Sequence, residues 1–198
     1  MPRVKQRTPE LRDRLLRTAV ATLAEDGITG LTARRVAQGA DTSVPAVYEL
    51  FGDKAGLVRE VYFEGFRQLR RRFDTLAPNS DARCALIAVM AGIRFFVRDN
   101  PVLAQVMFSR PFADFDPGPD ELAATRSVRE FIVEHVCRCL ETGQLAGDPT
   151  DIAHVLLALV QGLAMQESAG WLGSTQASVD RRWHLAFRAA LDGLRPVA

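Results

Sequence analysis

The residues with the clearest chemical purpose lie in one short stretch, residues 32–57, reading TARRVAQGADTSVPAVYELFGDKAGL. It supplies hydroxyls at Thr32, Ser43 and Tyr48, cations at Arg34, Arg35 and Lys54, and small side chains at Ala46 and its neighbours. These types bond to phosphate oxygens and base edges; they do not form a proton-transfer or nucleophilic set. Catalytic ingredients elsewhere are scattered. The three histidines are His135, His154 and His184, and there is no glycine-rich phosphate loop, GxSxG elbow or HExxH helix. Cys84, Cys137 and Cys139 have no metal-type spacing, and the last two, on a helical pattern, point about 200° apart. The expectation is a protein that is not an enzyme and uses no metal and no cofactor.

Three helical elements must position this stretch. Thr32 is a good N-cap, and Val36, Ala37 and Ala40 give the first piece a small inward face opposite Arg34, Arg35 and Gln38. Asp41-Thr42-Ser43 interrupts the pattern. In the second piece Ser43 can cap, Pro45 suits a first turn, and Val47 packs inward with Leu50 or Phe51, leaving Ser43, Val44, Ala46 and Tyr48 outward. A third helix begins at Asp53. This is a helix-turn-helix outline whose second helix, small at its start, can approach a major groove closely. Lys54, a cation in a helical first turn, opposes the local dipole unless an anion such as phosphate lies nearby.

Thr32, Val36-Ala37, Ala40, Ser43, Tyr48, Phe51, Lys54 and Leu57 together resemble the N-terminal signature of the tetracycline-repressor (TetR) family of transcriptional regulators. The resemblance implies an all-α fold of about nine helices: an N-terminal three-helix helix-turn-helix head and a C-terminal helical body for ligand binding and dimerisation. The boundaries expected are a DNA-binding domain over 1–53, a linking helix over 54–75, and a body over 76–198. The family pattern, together with facing, assigns base reading to Arg34, Ser43, Val44 and Ala46, adds Pro45 to the DNA surface, and gives phosphate positioning to Thr32, Tyr48 and Lys54. Asp41 stands where the family usually has Gly, Thr42 replaces a usual aliphatic residue, and Glu49 puts a carboxylate on the reading helix. An operator sequence therefore cannot be transferred from a relative.

Composition is that of an ordinary globular chain: 198 residues, 47% hydrophobic, 25% charged, net charge +1. The distribution is polarised, with 14 Lys and Arg against 9 Asp and Glu through Arg72, and 11 against 15 beyond it. The N-terminal MPRVKQRTPE has no apolar core, and the least charged stretch, 152–166, is shorter than the roughly 20 residues of a membrane span. A cytoplasmic protein without membrane attachment is expected.

In chain order, Arg3, Lys5 and Arg7 form a basic arm able to follow a DNA backbone, and Thr8-Pro9-Glu10 starts a helix carried by Leu11, Leu15, Ala19 and Leu23 to Gly27. Beyond the linking helix, 82–97 is apolar almost all round apart from Arg83, Arg94 and Arg98, and predicts a largely buried helix. A shorter helix from Asn100-Pro101, a loop over 111–119 carrying Phe112 and Phe115 as a candidate lid, and helices over 120–141 and 150–169 follow. A last amphipathic helix carries Val179, Trp183, Phe187, Ala190 and Leu194.

By resemblance, the final two helices build an intermolecular four-helix bundle, with Ala158, Gly162, Trp183, Phe187 and Leu191 in the homodimer interface. Packing of that stripe inside one subunit is the plainer alternative. Nine of the eleven phenylalanines lie between Phe63 and Phe131, which suits either an aromatic core or a cavity. By resemblance, a pocket for a small apolar or aromatic effector is enclosed by Phe66, Met90, Phe95, Met107, Phe131 and His135, with Gln161 and Met165. The function implied is a repressor released from a palindromic double-stranded DNA operator when that effector binds. The alternative is a helical ligand- or partner-binding protein that has lost operator recognition.

Overall fold

The computed structural model describes residues 8–108 and 118–196. Among them the fold is all-α, with nine helices: α1 (Pro9–Gly30), α2 (Ala33–Gly39), α3 (Val44–Phe51), α4 (Lys54–Asp74), α5 (Ala82–Asp99), α6 (Pro101–Phe108), α7 (Pro119–Glu141), α8 (Pro149–Ser168) and α9 (Gln176–Gly193). The basic arm and the loop containing Phe112 and Phe115 lie outside the described residues. No helix among the described residues is long and apolar enough to cross a membrane.

Two compact units divide the chain, one within Met1–Phe66 and Asn100–Asp116, the other Arg67–Asp99 and Pro117–Ala198. The division departs from the expected 1–53 and 76–198. It falls inside α4, and α6 groups with the helix-turn-helix helices. The reason is packing: α6 lies against α1, and Leu103, Val106 and Met107 are buried. A Cβ at Gly65 would lie 2.4 Å from the Met107 sulfur, so α4 and α6 approach as closely as glycine permits.

In the first unit, the Thr8 hydroxyl caps α1 by accepting from Leu11 N–H at 3.3 Å. The regular helix ends at Gly27, whose φ of 68° suits a residue without a Cβ. Leu15, Leu16, Ala19 and Leu23 form the buried face of α1, completed by Val36, Ala37, Val47, Phe51, Leu57 and Val61. Arg12 pairs with Glu60 at 2.7 Å and lies over the Phe51 ring, tying α1 to α3 and α4.

The second unit is built on α5, whose Leu86, Val89, Met90, Ile93 and Phe96 are buried, as the nearly all-round apolar pattern requires. α7 and α8 pack on it and on each other, and α9 covers α8. Phe73 of α4 stacks on Phe131 of α7 with centroids 5.0 Å apart, and the Arg70 guanidinium lies 4.5 Å over the same Phe131 ring. The three expected cations of α5 are used: Arg83 pairs with Asp192, Arg94 with Glu167 and Asp180, and Arg98 with Asp99.

Candidate nucleic-acid interface

α2 begins because Thr32 is extended (φ −124°, ψ 149°) and its hydroxyl accepts from Arg35 N–H at 3.3 Å. Ala33, Val36 and Ala37 then face inward, and Arg34, Arg35 and Gln38 face solvent. The two arginines are not equivalent. Arg35 donates from Nε to Asp26 at 3.0 Å, whereas Arg34 makes no ion pair among the described residues. Only Arg34 keeps its whole guanidinium fork for an external acceptor.

The turn between α2 and α3 is set by backbone geometry. Asp41 adopts φ 47°, the one positive value among the described non-glycine residues, and Thr42 N–H returns to Ala37 C=O at 2.9 Å. Asp tolerates this conformation better than most residues, which is how it replaces the expected glycine. Arg14 Nε donates to Ala40 C=O at 3.0 Å and pins the turn to α1. A Cβ at Gly39 would approach the Thr18 methyl to 2.7 Å, so α2 sits tightly on α1.

α3 starts at an extended Ser43, whose hydroxyl accepts from Ala46 N–H at 3.4 Å. Val47 and Phe51 are buried; Ser43, Pro45, Tyr48 and Glu49 are exposed, and Val44 and Ala46 are half-buried. Tyr48 is 46% exposed. Gly52 (φ 78°) closes α3, and Asp53 caps α4 by accepting from Gly56 N–H at 2.7 Å. Gly56 is required there: a Cβ would fall 1.9 Å from the Phe51 carbonyl oxygen. This tight junction leaves Lys54 exposed in the first turn of α4. Seven of the eight residues expected to face DNA therefore fall at the capped starts of α2, α3 and α4 and the eighth, Tyr48, in the second turn of α3, with none of them fully buried.

The residues expected to line an effector pocket are dispersed. Phe66 and Met107 belong to the first unit, and the other six to the second. Met90 is buried and Gln161 half-buried. His135 is half-buried, tilts against Phe131 at 4.4 Å, and bonds through Nδ1 to the Phe131 carbonyl at 2.8 Å. Two of them lie at the surface. Phe95 is 36% exposed, with the guanidiniums of Arg72 and Arg98 5.8 and 4.8 Å from its ring centre, because its neighbour Phe96 takes the inward position on α5. Met165 is 41% exposed, on the outer face of α8. A cleft of about 550 Å³ on α7 is lined by Arg129, Glu130, Val133, Glu134, Cys137 and Thr150, none of which was expected at a site.

The dimer residues are also redistributed. Trp183, Phe187 and Leu191, expected in the homodimer interface, are buried within their own unit. Trp183 is held inward by its Nε1–H, which donates to Glu167 at 2.6 Å, and by the Arg94 guanidinium 5.0 Å from its ring. Ala158 and Gly162 are exposed, in line on α8 with Val155 and Met165. Of this outward side the sequence pattern marks only Ala158 and Gly162; Val155, aliphatic like its buried neighbours, carries no polar signal.

Two short capped helices across a tight turn, with cations and hydroxyls outward, define a helix-turn-helix DNA-binding protein. Residues 15–61 match the family described as bacterial regulatory proteins, tetR family, and residues 86–190 match the tetracyclin repressor-like, C-terminal domain. The chain belongs to the TetR family and is a DNA-binding transcriptional regulator. No curated protein is a significant match. A protein of unknown function from Rhodococcus sp. RHA1 has a TM-score of 0.81 at 25% identity, over 96% of this chain and 98% of its own. A TetR family transcription regulator from Marinobacter aquaeolei VT8 has a TM-score of 0.71 at 18% identity, over 98% and 100%. A TetR variant from Acinetobacter baumannii AYE in complex with minocycline has a TM-score of 0.64 at 17% identity, over 90% and 93%.

Proposed function

We propose that the protein is a repressor that binds a palindromic operator as a homodimer and is released when a small apolar or aromatic molecule binds its C-terminal body. The observation that carries this reading is the set of capped helix starts that presents Arg34, Ser43, Tyr48 and Lys54 to solvent, in a segment matching the family's N-terminal domain. Arg34, Ser43, Val44 and Ala46 meet the bases, with Pro45 on the same DNA-facing surface; Thr32, Tyr48 and Lys54 meet phosphates.

Dimerisation uses the outer face of α8. Val155, Ala158, Gly162 and Met165 make an exposed apolar stripe without a charge, and Leu185 of α9, 66% exposed, adds to the apolar surface. Small residues at 158 and 162 permit a close helix crossing, and an isologous pair would give the head two copies related by a two-fold axis. The effector binds near Phe131 and His135. With Nδ1–H donated to a carbonyl, a neutral His135 keeps Nε2 as an acceptor for a ligand donor. The minocycline bound to the Acinetobacter relative supports a body that accepts a polycyclic small molecule.

Selection of bound sequences from random duplex DNA by the purified protein tests this reading. An enriched palindrome, bound at least about 1000-fold more tightly than random duplex, is the expected result. Binding that is weak, uniform across sequences and steeply salt-dependent would overturn it.

A further inference from the structure

α3 carries one charged side chain, Glu49. Val47 and Phe51 are its buried residues, and Glu49 is exposed. At about 100° per residue, Glu49 lies about 180° around the helix from the midpoint of that buried pair. Pro45 and Ala46, one turn earlier, flank it. Glu49 thus occupies the outward pole of α3, and a groove that admits Pro45 and Ala46 admits the carboxylate with them.

A carboxylate in that place is chemically selective. It is repelled by phosphates and can only accept hydrogen bonds. Of the groups exposed in the major groove, guanine N7 and O6 and thymine O4 are acceptors and oppose it; only the amino groups of cytosine and adenine can donate. The adenine amino group lies between two acceptors, its own N7 and the O4 of the paired thymine, whereas the cytosine N4 amino group has an acceptor, the O6 of the paired guanine, on one side only. A solvated surface glutamate with no role would simply lower affinity for every sequence equally.

We propose that Glu49 is a specificity-determining residue, accepting a hydrogen bond from a cytosine amino group in each operator half-site and rejecting guanine and thymine there. The inference rests on α3 being the groove-reading helix. It makes two demands of opposite sign on one side chain: Glu49 weakens binding to DNA at large and strengthens it to one base.

The test is selection from random duplex DNA by the full-length wild type, Glu49→Ala and Glu49→Gln, followed by affinities for the wild-type winner, its single-base variants and random duplex. The wild type should enrich a palindrome with a discriminated cytosine in each half-site. Glu49→Ala should lose discrimination at that base pair alone, by about 5- to 150-fold, while binding random duplex more tightly than the wild type. Glu49→Gln, of the same size and uncharged, should shift the preference toward adenine, to which an amide can both donate and accept. Unchanged discrimination at every base pair in Glu49→Ala would overturn the inference while leaving the operator-reading function intact. A uniform gain across all sequences, with no base-specific loss, would also overturn it. If the wild type enriches no sequence, the groove-reading function fails and this inference with it.

Discussion

Arg94 and Glu167 meet through two hydrogen bonds, Nε to Oε2 and Nη2 to Oε1, each 2.8 Å long, between side chains 73 positions apart. Around this pair the second unit gathers three helices. Arg94 projects from α5, Glu167 lies near the end of α8, and α9 adds Asp180, 2.7 Å from Arg94, and Trp183, whose indole N–H bonds to Glu167. The guanidinium therefore fastens both sides of the 169–175 connection at once. Planarity is what makes this possible: a forked donor can satisfy one carboxylate with two bonds and still reach a second.

Replacing Arg94 by Met should destabilise the protein by about 2–4 kcal/mol, because Glu167 keeps its half-buried position and loses its counter-charge. The double variant Arg94→Met with Glu167→Gln should recover part of the loss, since an amide can still accept from Trp183 without leaving a bare charge. Urea unfolding followed by tryptophan fluorescence checks both. Equal stabilities for wild type and Arg94→Met would show that the cluster contributes nothing net.

Acid should loosen this unit through its carboxylates. Hydrogen bonds from Arg94, then Gln176, hold the Asp180 carboxyl below its ordinary range, and a bond from Arg83 does the same for Asp192. A carboxyl with a lowered folded-state pKa gives its stabilisation in full above its unfolded value and loses it as pH falls through the folded one. The melting temperature should therefore hold near neutrality and fall below the ordinary carboxylate range, and less steeply in Arg94→Met. A melting temperature that rose on acidification would reverse the sign of this linkage.

Lys54 offers a different kind of expectation, about DNA. It stands exposed beside the Asp53 cap, where its charge opposes the dipole of α4 and gains from a phosphate. Lys54→Ala should weaken binding to all duplexes to a similar degree and reduce the slope of log affinity against log salt by about one. Filter binding or fluorescence anisotropy at four salt concentrations measures it. Loss of preference at a single base pair would move Lys54 from phosphate positioning to base reading.

The head was legible in the sequence because its determinants are local. Thr8, Thr32, Ser43 and Asp53 each cap a helix through the N–H three residues on, so spacing alone locates four helix starts. Even the departure at Asp41 could be read, since its turn conformation is a property of one residue. The body was less legible because periodicity gives a buried direction without naming what covers it. Phe95 and Phe96 are adjacent and equally apolar, and only the packing of α5 decides that Phe96 goes in and Phe95 stays at the surface beside Arg72 and Arg98. Trp183 and Phe187 form a stripe that another subunit could have covered; their own unit covers them. The bond from Trp183 to Glu167 and the grip of Arg94 join three helices, and no pattern within one helix announces them.

With Trp183, Phe187 and Leu191 turned inward, the proposed dimer depends on the apolar stripe of α8, and Met165 is the residue to test it with. Its side chain is 41% exposed beside a surface of Ala158 and Gly162, where a charge would meet its own symmetry mate across a two-fold axis. Met165→Glu should leave the fold and melting behaviour of the subunit within about 0.5 kcal/mol of the wild type, since the position is on the surface. It should nevertheless shift the protein from dimer to monomer in sedimentation equilibrium. Loss of the two-fold arrangement should also abolish tight binding to the full palindrome, leaving only the weaker binding of a half-site. Met165→Leu, keeping the apolar area, should remain dimeric. If Met165→Glu sediments as a dimer, the contact between subunits lies elsewhere on the body and the stripe of Val155, Ala158, Gly162 and Met165 faces solvent.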